Sequence, residues 1–431
     1  MKKLLLVPLI LLALACGKSH HPDHHKGGKQ QDQDQEQPAG PYCGPTMEID
    51  NYSGAYYTGD YTSPFKTYLG KTDAEIASKL DDLWNHYFKG DNNSKVYYET
   101  SGTEAYILNT AENSVYSEGM AYGMMICVQT GHKEEFDKLW KWAKNHMWHN
   151  NGGEAWEGYF AGICNTNGSR KDGTCHLNAE MYFITSLLFA ANYWNDDQYM
   201  DDAQKILKLM WDNPQYKLFN PTTNVIVFLP TPGEMTFTCP ANSLPAFLEL
   251  FARWSETNRD KWTMTVSAAR TQLYKSSNTK SGLFADYANF DGTPHYAEYL
   301  PNSQKYYVEA MRCAMNFGAD YYLFGVDATR QTEMAKRIID FFEKDGYTHA
   351  RFNWDGSNAS ESYTVGETGC NAVACYALMG QESYKETIKK NLQLAWDASL
   401  MTGQYRYYDG LVHYLAMLHL CGQFRIWKPQ N

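Results

Sequence analysis

The run Tyr116-Ser117-Glu118-Gly119-Met120-Ala121-Tyr122-Gly123-Met124-Met125 sets a single carboxyl among Met, Tyr and Gly residues. Apolar neighbours desolvate a carboxyl and favour its neutral form. A carboxylic acid that keeps its proton near neutrality is what general-acid catalysis requires. The plainer reading is that Ser117 and Glu118 cap a helix, where the dipole favours a charged carboxylate. On the residues alone the cap is the simpler account, and both stay open. Gly119 and Gly123 are poor choices inside a helix unless another group approaches the backbone there.

The elements that must position this acid are helices. From about residue 72 onward apolar residues recur at helical spacing and alternating strand patterns are scarce. Helices are expected near 72–89, 118–131, 133–147, 178–195, 197–212, 242–257, 260–275, 303–321, 327–345, 367–380, 382–400 and 411–424. Short polar breaks such as Gly131-His132, Asn258-Arg259 and Gly380-Gln381 join them into antiparallel pairs. Long loops rich in Gly, Pro and aromatics (148–177, 213–241, 276–302) separate the pairs, and long loops in a compact domain are usually functional. Twelve helices in hairpins with long loops at one end fit an all-α (α/α)6 barrel. A solenoid is the alternative, but no repeat of fixed period is present.

The 431 residues carry a net charge of −11, which argues against nucleic-acid binding. No phosphate loop and no structural metal spacing is present, so neither cofactor nor metal is expected, and a monomer is the default. The chain holds 33 Tyr and 12 Trp, side chains that suit cores and also sugar-stacking surfaces.

Residues 1–15 read as a signal peptide, and Ala13-Leu14-Ala15-Cys16 resembles a lipobox, which implies cleavage before Cys16 and lipid attachment to its sulfur. Residues 16–43 are too polar to bury a core and read as a flexible tether. Its histidines are read as incidental. The expected location is the bacterial cell envelope, lipid-anchored, with plain secretion as the alternative. Residues 44–431 form the expected catalytic domain. Cys164 and Cys175, flanking a polar loop, are the likeliest disulfide in an oxidising compartment.

Ser117-Glu118-Gly119-Met120 with Tyr122-Gly123-Met124-Met125 resembles the signature of glycoside hydrolase family 8, inverting enzymes with an (α/α)6 barrel that cut β-1,4 xylans, glucans or chitosan. Tyr97-Tyr98-Glu99, Phe136–Trp140, Gly158-Tyr159-Phe160-Ala161, Asp291-Gly292-Thr293-Pro294, Arg406-Tyr407-Tyr408-Asp409 and Leu415-Ala416-Met417-Leu418 are similar to family segments in the same order. The likeness is nearest to the branch of xylanases and reducing-end xylose-releasing oligoxylanases.

The resemblance implies that Glu118 is the general acid and that the base lies three residues before Arg312, at the start of a helix. That position holds Glu309 where the family has Asp. Its pairing with Arg312 at i, i+3 would keep it ionised. Asn178 stands where relatives carry another Asp, and Gly162 where they carry a Trp, leaving Trp156 or Tyr159 as the aromatic platform. Tyr363 falls near a His that blocks one end of the site in exo-acting relatives. Arg312, Arg406, Tyr122, Tyr407, Tyr408 and Asn178 are the implied substrate- and water-holding residues, with Tyr407 and Tyr408 undecided as the water holder. The implied activity is inverting hydrolysis of β-1,4 bonds in xylan or xylo-oligosaccharides. The alternatives are a β-glucanase or chitosanase of the same family, or a non-catalytic glycan-binding lipoprotein on a decayed barrel.

Overall fold

The computed structural model describes residues 53–100 and 102–429. The expected signal peptide, Cys16 and the polar tether lie outside the described residues.

Two short helices, α1 (Ala55–Thr58) and α2 (Pro64–Leu69), precede α3 (Asp73–Tyr87), which opens on a Thr72/Glu75 capping box. The next hairpins are α4 (Ser117–Thr130) with α5 (Lys133–Trp142), and α6 (Leu177–Trp194) with α7 (Asp197–Asp212). They are followed by α8 (Pro245–Trp254) with α9 (Arg259–Ser276), and α10 (Arg312–Phe324) with α11 (Ala328–Asp345). The last are α12 (Val365–Ala374) with α13 (Lys385–Asp397), and α14 (Tyr408–Leu420). Each of the twelve expected helices is present as one of α3 to α14.

Their order in space closes a ring. The helices α4, α6, α8, α10, α12 and α14 pack successively, and α14 packs back onto α4. The composition explains which helices lie inside. In α4, α6 and α14 nearly every residue is buried, as expected of helices that are apolar all round. By contrast α5, α7 and α11 bury one stripe and form the outer layer with α3, α9 and α13. Backbones approach closely where glycine permits: a Cβ on Gly318 of α10 would lie 2.4 Å from the Val373 carbonyl oxygen of α12.

Each short connection leaves an inner helix at its C-terminus, so all six inner N-termini share one end with the long loops. Small antiparallel sheets brace those loops. They are β1 (Tyr97–Glu99) with β2 (Ala105–Ile107), and β3 (Val115–Tyr116), β4 (Ile163–Cys164) and β5 (Arg170–Asp172) in that order. The third is β6 (Lys305–Tyr306), β7 (His349–Asn353) and β8 (Ser360–Ser362).

Two expectations are corrected. The helix expected over 303–321 starts only at Arg312, because the backbone N–H groups of residues 307–310 bond to the Asp286 side chain and not to a helical ladder. Cys164 and Cys175 are free buried thiols, as are all eight cysteines among the described residues. Cys164 pairs across the sheet with Arg170, not Cys175, and directs its sulfur toward the His146 carbonyl. No helix among the described residues is long and apolar enough to cross a membrane.

Four helices are tied at the core by buried charge. Arg270 of α9 makes two bonds of 2.8 and 2.7 Å to Asp320 of α10 and one of 2.9 Å to Glu249 of α8, and Gln331 of α11 donates to Asp320. Removing Arg270 leaves two buried carboxylates with only part of their pairing, Glu249 keeping Arg253 and Asp320 keeping Gln331. Arg270→Met is therefore expected to lower unfolding free energy by about 3–5 kcal/mol, read from denaturant midpoints. A loss under about 1 kcal/mol would mean the cluster behaves like a surface pair.

Candidate active site

Four inner helices each contribute a chemical group from the first turn: Glu118 on α4, Asn178 on α6, Arg312 on α10 and Tyr408 on α14. The sheet β3-β4-β5 sets the first of them. Tyr116 pairs with Ile163, and the Ser117 N–H donates to the Gly162 carbonyl at 2.9 Å, so α4 starts at a fixed place.

No side chain caps α4. The carboxyl of Glu118 points elsewhere, which disposes of the capping account. Its Oε1 accepts from the Tyr122 hydroxyl at 3.0 Å and from the Asn178 amide, and it pairs with Arg312 Nη1 at 3.1 Å. All three donors reach the same oxygen. Oε2 is left as the oxygen that can present a proton to a substrate.

Tyr122 organises this shell. One turn after Glu118, it donates to the acid and accepts from Arg312 Nη1 at 2.9 Å and from Asn178 Nδ2 at 3.2 Å. Burial pushes its phenol well above the ordinary tyrosine range, so the hydroxyl stays a donor. Asn178 can serve here because its amide offers N–H groups at every pH, whereas an ionised Asp offers only acceptors.

The second Arg312 nitrogen, Nη2, pairs with Glu309. One buried guanidinium therefore joins two carboxyl groups. Both remain open to solvent, with 14% of the Glu118 and 29% of the Glu309 side chain exposed. Burial pushes the Glu309 carboxyl above its ordinary value, Arg312 opposes this, and the charge of Glu118 adds to it. Glu309 lies in the turn before α10 and not on the helix, so the pair with Arg312 closes a turn (Arg312 N–H to Glu309 carbonyl, 3.2 Å).

The undecided tyrosines now separate. Tyr407 lies against the acid's helix: a Cβ on Gly119 would come within 2.6 Å of its hydroxyl, which is why residue 119 has no side chain. Gly123 is required in the same way by Ile107, at 2.6 Å. Tyr408 lies on the Glu309 side, donating to the Val308 carbonyl at 3.3 Å, with its ring 6.0 Å from the Arg312 guanidinium.

Two expected site residues are not brought to the pair. Arg406 directs its guanidinium to the carbonyls of Lys95, Gly403 and Asn92 and to the Tyr98 hydroxyl, so it braces loops. Tyr159 is fully buried, its hydroxyl donating to the Tyr216 carbonyl, and offers no face to a sugar. Trp156 keeps partial exposure but stacks one face on Tyr216 at 3.9 Å. Where Gly162 lacks a side chain the space belongs to His176, whose Nε2 lies 2.7 Å from a Cβ built there. Tyr363 is turned inward, its hydroxyl accepting from Asn371 of α12 at 2.7 Å.

The sequence reading missed the groups behind Glu309: Asp286, Tyr287 and Cys239. The charge of Glu309, after burial, raises the pKa of each. The available signal was an acid alone in the apolar run Leu283-Phe284-Ala285-Asp286-Tyr287. Among the described residues no group of His, Cys, Asp and Glu is arranged to hold a metal ion.

The architecture has close counterparts. The chain is 33% identical over 394 residues to the reducing end xylose-releasing exo-oligoxylanase of Halalkalibacterium halodurans, covering 88% of this chain and 97% of that protein. It is 33% identical over 386 residues to the reducing-end xylose-releasing exo-oligoxylanase Rex8A of Paenibacillus barcinonensis, covering 87% and 98%. The GH8 xylobiose complex from Teredinibacter turnerae superposes with a TM-score of 0.83 at 32% identity, covering 87% of this chain and all of that one. The family model for glycosyl hydrolases family 8 matches residues 93–420, which contain Glu118, Asn178, Glu309, Arg312 and Tyr408. With its closed helical ring and a buried arginine between two carboxyls, the chain belongs to glycosyl hydrolase family 8 and is a glycoside hydrolase with an (α/α)6 barrel.

Proposed function

We propose that this enzyme hydrolyses β-1,4-linked xylo-oligosaccharides with inversion, using Glu118 as general acid and Glu309 as general base. The observation that carries the reading is Arg312, which binds both carboxyls while leaving Glu118 Oε2 free to deliver a proton. An inverting glycosidase needs an acid on one side of the scissile bond and a base on the other, with a water between base and sugar. In the proposed reaction Glu118 protonates the glycosidic oxygen as the C1–O bond breaks. Glu309 takes a proton from the water that attacks C1 from the opposite face. Tyr408, on the base side, is the group placed to orient that water. The xylan class follows from the named oligoxylanase relatives. A panel of β-1,4 xylan, xylo-oligosaccharides, mixed-linkage glucan, cellulose and chitosan tests it, and turnover confined to the last three would overturn it.

Loss of a general acid or base typically costs about 10²–10⁴-fold in rate. Glu118→Gln and Glu309→Ala are each expected to lose at least about 10²-fold on xylotetraose while keeping their circular dichroism. Azide should restore part of the activity of Glu309→Ala alone. A near-normal rate in either variant contradicts the role assigned to that residue.

The pH profile follows from the environments. Glu309 must be ionised to act, and burial raises its pKa, so activity is lost as pH falls through a value above the ordinary glutamate pKa of about 4.3. Asn178→Asp places a second negative charge beside Glu118, and a like charge makes a proton harder to lose. The alkaline limb of that variant should move to higher pH. An unmoved limb would mean that residue 178 does not act on the acid.

A further inference from the structure

Asp286 lies in the loop between α9 and β6 and has been given no role in the reaction. Only 6% of it is exposed, and its carboxylate is turned to backbone N–H groups. That carboxylate is the most heavily bonded acceptor near Glu309. Its Oδ1 accepts the backbone N–H groups of Tyr307 at 3.2 Å, Glu309 at 3.1 Å and Ala310 at 2.9 Å, and Oδ2 accepts that of Val308 at 3.2 Å. The backbone N–H of Asp286 donates to the Lys305 carbonyl at 2.8 Å, fixing the loop against β6. The turn before α10 is wrapped around one side chain.

We propose that Asp286 is the positioning residue for the catalytic base, holding the backbone of residues 307–310 so that the Glu309 carboxylate is aimed at the attacking water. This role rests on Glu309 being the base. The aim of the long glutamate side chain is then set by the turn beneath it. An ionised carboxylate suits the task, since it has acceptor sites for four converging donors. An amide of the same shape would turn its NH₂ against at least one of them, leaving buried donors unsatisfied.

The two acids are also linked electrostatically. Burial and then the charge of Glu309 push Asp286 up to about 7, against the pull of the backbone N–H groups. The other titratable groups facing it are Tyr287 and Tyr307 from its own loop and the turn, Cys239 from the loop before α8, and Cys313 on α10. Arg312 lies behind Glu309. Asp286 therefore takes its charge, and its full hold on the four N–H groups, only as pH rises through about 7, after Glu309 has ionised, and Asp286→Asn removes that step.

The test is Asp286→Asn with xylotetraose across pH. Misaiming a reacting group by about 1 Å can cost about 10²-fold, so kcat at the plateau should fall by about that factor, with KM within about threefold. An unchanged kcat in the folded variant overturns the proposal. Glu309→Ala measured alongside separates the two claims. If Glu309→Ala is inactive and Asp286→Asn fully active, the positioning role falls and the base stands. If Glu309→Ala is active, the base assignment itself falls, and the role given to Asp286 with it. Should Asp286→Asn fail to fold, amide hydrogen exchange in the unmodified enzyme decides. Protection of the amides of residues 307–310 should drop as pH falls through about 7, and protection independent of pH overturns the proposal.

Discussion

The site depends on the buried guanidinium of Arg312. It is nearly sealed from solvent and must be neutralised, and it meets that requirement with two acids from different parts of the chain, Glu118 and Glu309. A buried charge without partners would cost several kcal/mol. The ion triad therefore fixes the relation between α4 and the turn before α10 as firmly as packing does. Tyr122 and Asn178 complete the arrangement by filling the remaining acceptor sites on one oxygen of Glu118, leaving the other oxygen available for proton transfer.

The ring of helices makes this possible. Six inner helices with their N-termini at one end bring four first turns together, and the first turn is where a side chain can point past the barrel into the loops. Helix N-termini also carry partial positive charge, which favours carboxylates and developing negative charge in that region. The small sheets then fix where each first turn begins, as the pairing of Tyr116 with Ile163 does for Glu118.

The helices were legible because their apolar faces repeat over long segments, and each of the twelve is present, with α10 starting later than the pattern put it. Glu118 was legible only in part. On the residues alone the cap was the simpler account, and only the long-range bonds to Asn178 and Arg312 turn the carboxyl away from it. Gly119 and Gly123 announced close approach correctly, but not that Tyr407 and Ile107 would be the groups approaching. The misplaced start of α10 has the same origin as the missed role of Asp286, because a side chain 21 to 24 residues earlier takes the N–H groups that helical periodicity assigns to the ladder. Arg406 and Tyr159 share the chemistry of sugar-binding side chains, and nothing local shows that their polar ends meet backbone carbonyls in the interior.

In the proposed reaction Glu118 donates the proton and Glu309 directs water from the opposite face, which inverts the anomeric centre. Proton NMR of the products during the first minutes of xylo-oligosaccharide hydrolysis, before mutarotation, reads this directly. The β-linked substrate should first give the α-anomer at the newly formed reducing end. An initial β-anomer would mean a covalent intermediate and a nucleophile on the enzyme, which would contradict the pairing of Glu118 with Glu309 through Arg312.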